Sequence, residues 1–170
     1  MCPAPLHRQG LCCRGRPRSQ GRQGRHPNLS EQHLVDCVGA ALNYTSRGCR
    51  GGLAEDAFDY VNRGYLTTEV AYGYTAVDTT GCRARRVSTD GAITVRRPGY
   101  EVVPGTAEAI MAEVCRKGVA VVCWNVDESF VGYTAGIYPA SACKADGINH
   151  AMAIVGYSSA ERYWIVRNSW

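Results

Sequence analysis

The end of the sequence holds two stretches, Asn149-His-Ala-Met-Ala-Ile-Val-Gly-Tyr157 and Tyr163-Trp-Ile-Val-Arg-Asn-Ser-Trp170, separated by a short polar segment. Both are rich in apolar, β-branched and aromatic side chains, which is typical of strands. We therefore predict strands over Ala151–Tyr157 and Tyr163–Val166, joined by a turn. A third apolar run, Val119–Trp124, predicts one more strand earlier in the chain.

Three amphipathic helices are predicted before these strands. Ser30 and Thr106 are suitable N-cap residues for the first and third helices, and Gly64 can end the second. The apolar side chains of each helix share one face: Leu34, Val35 and Cys37 in the first, Ala54, Ala57, Phe58 and Val61 in the second, and Ala107, Ile110, Met111 and Val114 in the third. Helices first and strands later predict an α+β fold in two halves, residues 28–104 and 105–170.

The start of the chain, residues 1–27, differs in composition from the rest. It holds six arginines and no acidic residue, so the remaining residues are 13 basic against 15 acidic, and the net charge of +4 comes from this stretch. Residues 14–27 include no aliphatic or aromatic side chain, so we expect a disordered basic arm over residues 1–27. A solvated tail or gene-model artefact is the favoured interpretation. Binding of acidic partners or nucleic acid is the alternative.

Nine cysteines in 170 residues indicate disulfides and an oxidising compartment. The sequence has no Cys-x-x-Cys pair, and its four histidines lie at no zinc-finger spacing, so we expect no metal. No segment approaches the roughly 18 apolar residues of a membrane helix. Arginines also interrupt any apolar core of a signal peptide near the start. We therefore expect neither a membrane span nor a signal peptide in this chain.

Four motifs occur in order: Leu29-Ser-Glu-Gln-His-Leu-Val-Asp-Cys37, Gly48-Cys-Arg-Gly-Gly52 and the two C-terminal stretches quoted above. Together they closely resemble the papain-like cysteine proteases, the cathepsin family, from about Asn28 to Trp170. The resemblance implies a papain-like fold with a helical left half and a strand-rich right half. It also implies hydrolysis of peptide bonds through an acyl-thioester, no cofactor, and a lysosomal or extracellular location.

The resemblance makes His150 the general base and acid, and Asn168 the residue that orients its ring. A thiol attacks a peptide carbonyl only as the thiolate, so it needs a nearby base that stays protonated beside it. Asn168 would end the strand that follows the His150 segment, where its amide could orient the imidazole. Trp164 and Trp170 could shield that hydrogen bond from water, although core packing explains both tryptophans equally well.

The double glycine of the second motif is a candidate for substrate binding. In the family it lines the cleft, because absent side chains let an extended peptide backbone approach. The alternative for Gly51 and Gly52 is a loop that needs positive φ before the next helix. By resemblance, Leu53 and Ala54 would follow into the wall of the main specificity pocket.

The resemblance also implies two disulfides. Cys37 matches a family cysteine that bridges to one in a later loop, here Cys82. Cys49 matches one that bridges to a cysteine just before the nucleophile, here Cys12. Cys143 matches a cysteine whose partner follows the Asn-Ser-Trp motif, so we expect it to be unpaired. Two further cysteines are expected to act as small hydrophobic side chains: Cys115 and Cys123.

The nucleophile region departs from the family pattern. That pattern is Cys-Gly-Ser/Ala-Cys-Trp/Tyr, with His and Asn about 130–150 residues downstream. Gln9-Gly-Leu-Cys12 resembles the lead-in, in which the glutamine, here Gln9, helps to form the oxyanion hole. Counting on in register places Gly15 at the nucleophile position, and Cys13 could serve only if two residues were deleted.

Two spacings disagree about Cys13. Its separation from His150 lies within the expected window, but its separation from Ser30 is too short for the long buried helix that the family has there. Residues 14–27 have no apolar face for that helix, whose N-terminus would stabilise the thiolate. We expect the nucleophile helix, the closing strands after Trp170 and a propeptide to be missing. A gene-model fragment or frame error explains all three more simply than adaptation.

The sequence therefore predicts a cysteine peptidase with a Cys/His/Asn site whose activity is impaired in this chain. The alternative is a non-catalytic papain-like homologue that binds peptides in the cleft without cutting them. We expect a peptide or protein substrate, a monomer, and neither a membrane nor a nucleic-acid partner.

Overall fold

The computed structural model describes residues 27–78, 81–94, 100–144 and 146–170. These residues divide into two compact units, an N-terminal unit that ends at Glu101 and a C-terminal unit that runs from Val102 to Trp170. The predicted basic arm falls outside the described residues, apart from its last position.

Two helices and three 3₁₀ turns shape the N-terminal unit. Helix α1 spans Glu31–Cys37 and helix α2 spans Ala54–Arg63. Ser30 caps α1 as predicted, since its Oγ accepts the backbone N–H of His33, and Gly64 ends α2. The 3₁₀ turns are Ala40–Leu42, Gly48–Arg50 and Ala84–Arg86. The other described residues of this unit lie in loops, which two isolated β-bridges join.

The buried face of α1 is more polar than predicted. Gln32 and His33 are fully buried, whereas Leu34 and Val35 are only partly covered. Burial of these polar side chains is tolerated because their hydrogen bonds are satisfied. Gln32, for example, donates to the carbonyl of Val77 at 2.9 Å. The prediction that Leu34 and Val35 form the inward face is wrong, since hydrogen-bonding groups from distant loops select the polar face instead.

The end of α1 is covalently tied to a distant loop. Cys37 and Cys82 form a disulfide, the pairing that the resemblance implied. The implied bridge between Cys49 and Cys12 is not formed, because Cys49 is an exposed thiol, and Cys12 lies outside the described residues. The N–H of Cys49 donates to Oδ1 of Asp78, and its thiol hydrogen-bonds to the same carboxylate, which raises the pKa of the thiol.

The C-terminal unit packs one long helix on a three-stranded sheet. Helix α3 spans Ala107–Lys117 and begins at the predicted cap, Thr106, whose Oγ1 accepts the N–H of Ala109 at 3.3 Å. The elements that follow are β1 (Ala120–Trp124), α4 (Glu128–Val131), a 3₁₀ turn (Ala140–Ala142), β2 (His150–Ser158) and β3 (Tyr163–Arg167). The predicted strands and third helix therefore lie where the sequence placed them.

The sheet is antiparallel, in the order β1-β2-β3. Ile154, at the centre of β2, is fully buried against Ile110 and Val114 of α3. Cys115 and Cys123 are exposed, and Cys115 is disulfide-bonded, so the prediction that both act as small hydrophobic side chains is wrong. Their positions on α3 and β1 face away from the contact between helix and sheet. Within the described ranges, no helix is long and apolar enough to cross a membrane.

Candidate functional site

His150 and Asn168 lie side by side at one edge of the C-terminal sheet. His150 begins β2, opposite Trp124 of β1, and Asn168 directly follows β3. Because β2 and β3 run antiparallel, the start of one lies beside the end of the other. The Nε2 atom of His150 is 2.9 Å from Oδ1 of Asn168. The sheet therefore brings together the two residues that the resemblance singled out.

A second hydrogen bond to Asn168 defines the tautomer of His150. Oδ1 of Asn168 also accepts the backbone N–H of Ser169 at 2.8 Å. A backbone N–H only donates, so the amide atom that faces it is the oxygen and not the nitrogen. The same oxygen must accept from His150, and Nε2 of the ring therefore carries the proton. In the neutral ring Nδ1 then keeps its lone pair, as a general base requires.

Asn149 fixes the backbone directly before His150. Its Oδ1 accepts the N–H of Val126 at 2.8 Å, and its Nδ2 donates to the carbonyl of the same residue at 2.9 Å. The N–H of Asn149 also donates to the carbonyl of Trp124 at 3.1 Å. These three bonds hold the start of β2 against the loop after β1. Nothing in the sequence pattern indicated this contact, because it joins segments that are far apart along the chain.

Only one of the two predicted shielding tryptophans contacts His150. The ring centroid of Trp170 lies 5.7 Å from that of His150. Trp170 itself is 65% exposed, so it covers one side of the imidazole without closing the site. Trp164 packs against Tyr157 and Met111, so of the two explanations left open for it, core packing applies. Trp164 pairs with Tyr157, near the end of β2 that is far from His150.

An aromatic groove opens beside this pair in the C-terminal unit. Its aromatic lining centres on Phe130, whose ring contacts four others: Trp124, Tyr133, Tyr138 and Trp170. The groove has a volume of about 860 Å³ and also includes Asn168 in its wall. A concave, mostly apolar pocket with a few polar groups is the usual form of a small-molecule site.

The double glycine lies in the N-terminal unit, directly before α2. Gly51 has a φ of 109°, a conformation that favours glycine, and a Cβ built there would meet no atom within 4 Å. A Cβ on Gly52 would lie 2.5 Å from Oγ of Ser46, so this position must stay small for packing. The backbone of Gly51 thus faces open space, whereas Gly52 is needed because the side chain of Ser46 packs closely against it. Leu53 is exposed, and Ala54 begins α2.

Asp56 holds the glycine segment in place through Ser46. Its Oδ2 accepts four hydrogen bonds of 2.8–3.0 Å, from the N–H and hydroxyl groups of Thr45 and Ser46. Oγ of Ser46 in turn accepts the N–H of Leu53 at 3.2 Å. The hydrogen bonds from Ser46, and to a smaller extent those from Thr45, lower the pKa of Asp56. We call this arrangement of Thr45, Ser46 and Asp56 the Asp56 clasp. The sequence did not reveal it, since it depends on the path of the loop.

The other predicted catalytic residues fall outside the described part of the chain. Gln9 and Cys13 lie outside the described residues, so of the proposed catalytic set the structure brings together only His150 and Asn168. Within the described ranges, no three His, Cys, Asp or Glu side chains are placed to hold a metal ion.

Comparison with known sequences identifies relatives over most of the chain. A family model described as papain family cysteine protease matches residues 15–170. The chain is 40% identical over 154 residues to cysteine endopeptidase Rep1 of Oryza sativa subsp. japonica, covering 88% of this chain and 39% of that protein. It is 36% identical over 157 residues to Testin-2 of Mus musculus, covering 88% and 45% respectively. The chain thus spans less than half the length of these relatives.

Solved structures agree with the α+β architecture. The structure is similar to the Carica candamarcensis cysteine protease CMS1MS2 in complex with E-64, with a TM-score of 0.73 and 32% identity, covering 87% of this chain and 64% of that one. It is also similar to digestive procathepsin L 3 of Tenebrio molitor larval midgut, with a TM-score of 0.72 and 29% identity. That match covers 87% of this chain and 47% of the other.

Proposed function

Since the chain belongs to the papain family of cysteine proteases, we propose that it is a cysteine peptidase whose general base and acid is His150. The observation that carries this proposal is the 2.9 Å hydrogen bond between Nε2 of His150 and Oδ1 of Asn168. That bond orients the imidazole and leaves Nδ1 as the atom that exchanges protons. Asn168 acts as a positioning residue, because it transfers no proton itself.

The proposed reaction has two halves. Nδ1 of His150 takes the proton of a cysteine thiol, and the thiolate attacks the carbonyl carbon of a peptide bond. The tetrahedral intermediate expels the amine, which takes the proton from Nδ1, and an acyl-thioester remains. Nδ1 then deprotonates a water molecule, which attacks the thioester carbonyl. The carbon–sulfur bond breaks, the acid leaves and the thiol regains its proton. Proton transfer by a positioned base contributes about 10²- to 10⁴-fold to the rate.

Substrate binding is assigned to the glycine segment. Gly51 supports this role because its backbone has open space on the side where a Cβ would lie. An extended peptide can therefore approach and hydrogen-bond to it. Leu53 and Ala54, the residues proposed for the specificity pocket, follow directly, and the Asp56 clasp fixes Leu53 through its N–H. Gln9 would donate to the oxyanion as the tetrahedral intermediate forms.

Cys13 is the candidate nucleophile, and its placement is the reason that we expect impaired turnover. A thiolate must be held within hydrogen-bond reach of Nδ1, because an error near 1 Å costs roughly 100-fold. Residues 14–27 offer no apolar side chain with which a helix following Cys13 could pack. The proposed location is lysosomal or extracellular, which fits the Cys37–Cys82 disulfide. The proposed partner is a peptide or protein substrate, bound by a monomer.

The test compares the chain with a version that regains a nucleophile helix. In that version, a segment opening with Cys-Gly-Ser-Cys-Trp replaces the residues before Asn28, and hydrolysis of a fluorogenic peptide is measured. We expect turnover in this version, a loss of about 10²- to 10⁴-fold in kcat for His150→Ala, and a smaller loss for Asn168→Ala. Ser169→Ala is the matched control, since only the backbone of Ser169 contacts Asn168.

One outcome would reject the role of His150, and another would reject peptidase activity itself. If His150→Ala keeps the full rate, His150 is not the base. If the restored chain binds peptides in a fluorescence-anisotropy titration but cuts none, the alternative of a non-catalytic peptide-binding homologue is supported instead. The name of one relative, Testin-2, states no peptidase activity, which keeps this second function open to the same experiment.

A further inference from the structure

Asn43-Tyr44-Thr45 forms an Asn-x-Thr sequence, the acceptor pattern for N-linked glycosylation. Asn43 ends the 3₁₀ turn Ala40–Leu42 with φ 62° and ψ 28°. This left-handed conformation is one that asparagine adopts more readily than most residues. The acceptor therefore lies at the tip of a turn, where connecting segments run over the protein surface and tolerate additions.

The side chain of Asn43 is exposed. Its amide makes no hydrogen bond to the rest of the described residues, and only its backbone N–H is engaged, with the carbonyl of Ala40 at 3.0 Å. A sugar attached to Nδ2 would consequently break no contact within the described part of the N-terminal unit. The folded unit can carry a glycan here at little cost in stability.

The hydroxyl of Thr45, which completes the Asn-x-Thr acceptor, is also accessible at the surface. Thr45 is exposed, and its Oγ1 donates to Asp56 at 3.0 Å. This is one of four donors to the same carboxylate oxygen, so Asp56 stays satisfied by the others when the hydroxyl turns away. The Asp56 clasp thus keeps the loop ordered without depending on the Thr45 hydroxyl.

The Cys37–Cys82 disulfide indicates folding in an oxidising compartment, which in a eukaryotic cell is the compartment where N-linked glycans are added. We infer that Asn43 is an N-glycosylation site. In the transfer, Nδ2 of Asn43 bonds to the anomeric carbon of an oligosaccharide carried on a lipid diphosphate. The sugar–phosphate bond breaks, the lipid diphosphate leaves with the bonding electrons, and one amide proton is released. This modification is independent of peptidase activity.

A second Asn-x-Ser sequence, Asn28-Leu29-Ser30, provides an internal comparison. Ser30 is 1% exposed, and its hydroxyl donates to the carbonyl of Tyr72 at 2.5 Å and accepts the N–H of His33 at 2.9 Å. Folding therefore closes this acceptor. The Asn43 acceptor is accessible both before and after folding. Its modification therefore does not depend on whether the chain folds before or after the glycan is transferred.

The test expresses the full chain behind a secretion signal in cultured eukaryotic cells. Peptide-N-glycosidase converts each glycosylated asparagine into aspartate, which mass spectrometry locates. Trypsin alone leaves positions 28 and 43 on one peptide, between Arg25 and Arg47. A glutamate-specific protease that cuts after Glu31 is therefore added to separate them. We expect conversion at position 43, complete loss of that signal in Asn43→Gln and Thr45→Ala, and retention in Thr45→Ser. Asn28→Gln is the matched control and should leave the signal at position 43 unchanged.

An unmodified Asn43 in secreted chain would overturn the inference. So would a glycan that persists in Asn43→Gln and disappears in Asn28→Gln. If the chain is retained or degraded in cells, translation into microsomes gives the same readout, because transfer to a translocating chain does not require folding. Failure of the peptidase proposal would not alter any of these results.

Discussion

The backbone N–H of Thr67 points at Nδ1 of His33, 3.2 Å away, inside the N-terminal unit. Nδ1 must therefore accept, and the ring proton lies on Nε2, which is 2.8 Å from the hydroxyl of Tyr60. The imidazole is fully buried and stacks on Tyr72 at 5.4 Å. Burial lowers the pKa of His33, and the nearby carboxylate of Asp36 opposes this by raising it. The folded chain thus favours neutral His33.

We expect acid to destabilise the chain through His33. In the unfolded chain the pKa of histidine is about 6.5, and in the folded chain it is lower, so below about pH 6.5 the unfolded state binds more protons. The free energy of unfolding should fall as the pH drops below about 6.5 and level off below the folded pKa. Urea titrations at several pH values between about 7.5 and about 5 measure the slope of the free energy of unfolding against pH.

His33→Gln should flatten that dependence, even if it lowers stability throughout, because glutamine does not titrate. His150→Gln, the same change at a partly exposed histidine, is the matched control. An unchanged slope in His33→Gln would show that another group causes the acid sensitivity.

Removing the Cys37–Cys82 disulfide should destabilise the N-terminal unit. The bond closes a loop of 45 residues, which in chain-entropy terms stabilises the folded state by about 4 kcal/mol. The double variant Cys37→Ala/Cys82→Ala should therefore unfold at markedly lower urea concentration than the parent chain. Cys49→Ala is the control, because Cys49 is an exposed thiol, and it should unfold close to the parent. Recovery of both cysteines as alkylated thiols from oxidised, folded chain would contradict the expectation.

Asp56→Ala should loosen the glycine segment. Without the carboxylate, Ser46 loses the acceptor of its hydroxyl, and its hold on the N–H of Leu53 weakens. Hydrogen exchange read by mass spectrometry should show faster exchange over residues 51–53. Glu55→Ala is the matched control on the same turn of α2. Equal exchange in both variants would mean that the clasp does not order the segment.

Acid should have the same effect as Asp56→Ala. Because hydrogen bonds lower the folded pKa of Asp56, their stabilisation is complete above the unfolded value of about 3.9. It is lost as the pH falls through the lower folded pKa. Relative to the intrinsic exchange rate at each pH, exchange over residues 51–53 should rise in that acid range in the parent chain and change less in Asp56→Ala.

The chain with its present N-terminal sequence should react slowly with an epoxide probe for cysteine peptidases. A thiol without a supporting helix should titrate near the ordinary value of about 8.5, so little thiolate is present at about pH 5–6. Mass spectrometry after incubation should find Cys13 unlabelled while an intact relative is labelled. Stoichiometric labelling of Cys13 that is lost in His150→Ala would show that this cysteine does reach the base.

Local sequence was enough to predict the elements that carry the C-terminal site. The β-branched runs predicted β1, β2 and β3, and Thr106 predicted the start of α3, because strand preference and capping depend on neighbouring residues. The His150 and Asn168 motifs, with their resemblance to a known family, indicated which two side chains to examine together. Ser30 was likewise identified as the cap of α1 from its position alone.

Contacts between distant segments were decided only by the tertiary structure. Gln32 and His33 are buried instead of Leu34 and Val35, because hydrogen-bond partners in distant loops satisfy them. The Asp56 clasp needs a loop that returns to the first turn of α2. Cys49 is an exposed thiol beside Asp78, although the resemblance implied a bridge.

The tautomer of His150 shows the same division between sequence and structure. The sequence supplies a histidine and an asparagine in two neighbouring strand motifs, but not which ring nitrogen carries the proton. That proton is located by two donors that converge on one oxygen of Asn168, and such convergence exists only once β2 and β3 have paired. Sequence patterns predict local conformation, because capping and strand preference depend on residues that are neighbours along the chain. Geometry in space determines the chemistry, because hydrogen bonds depend on distances that folding alone sets.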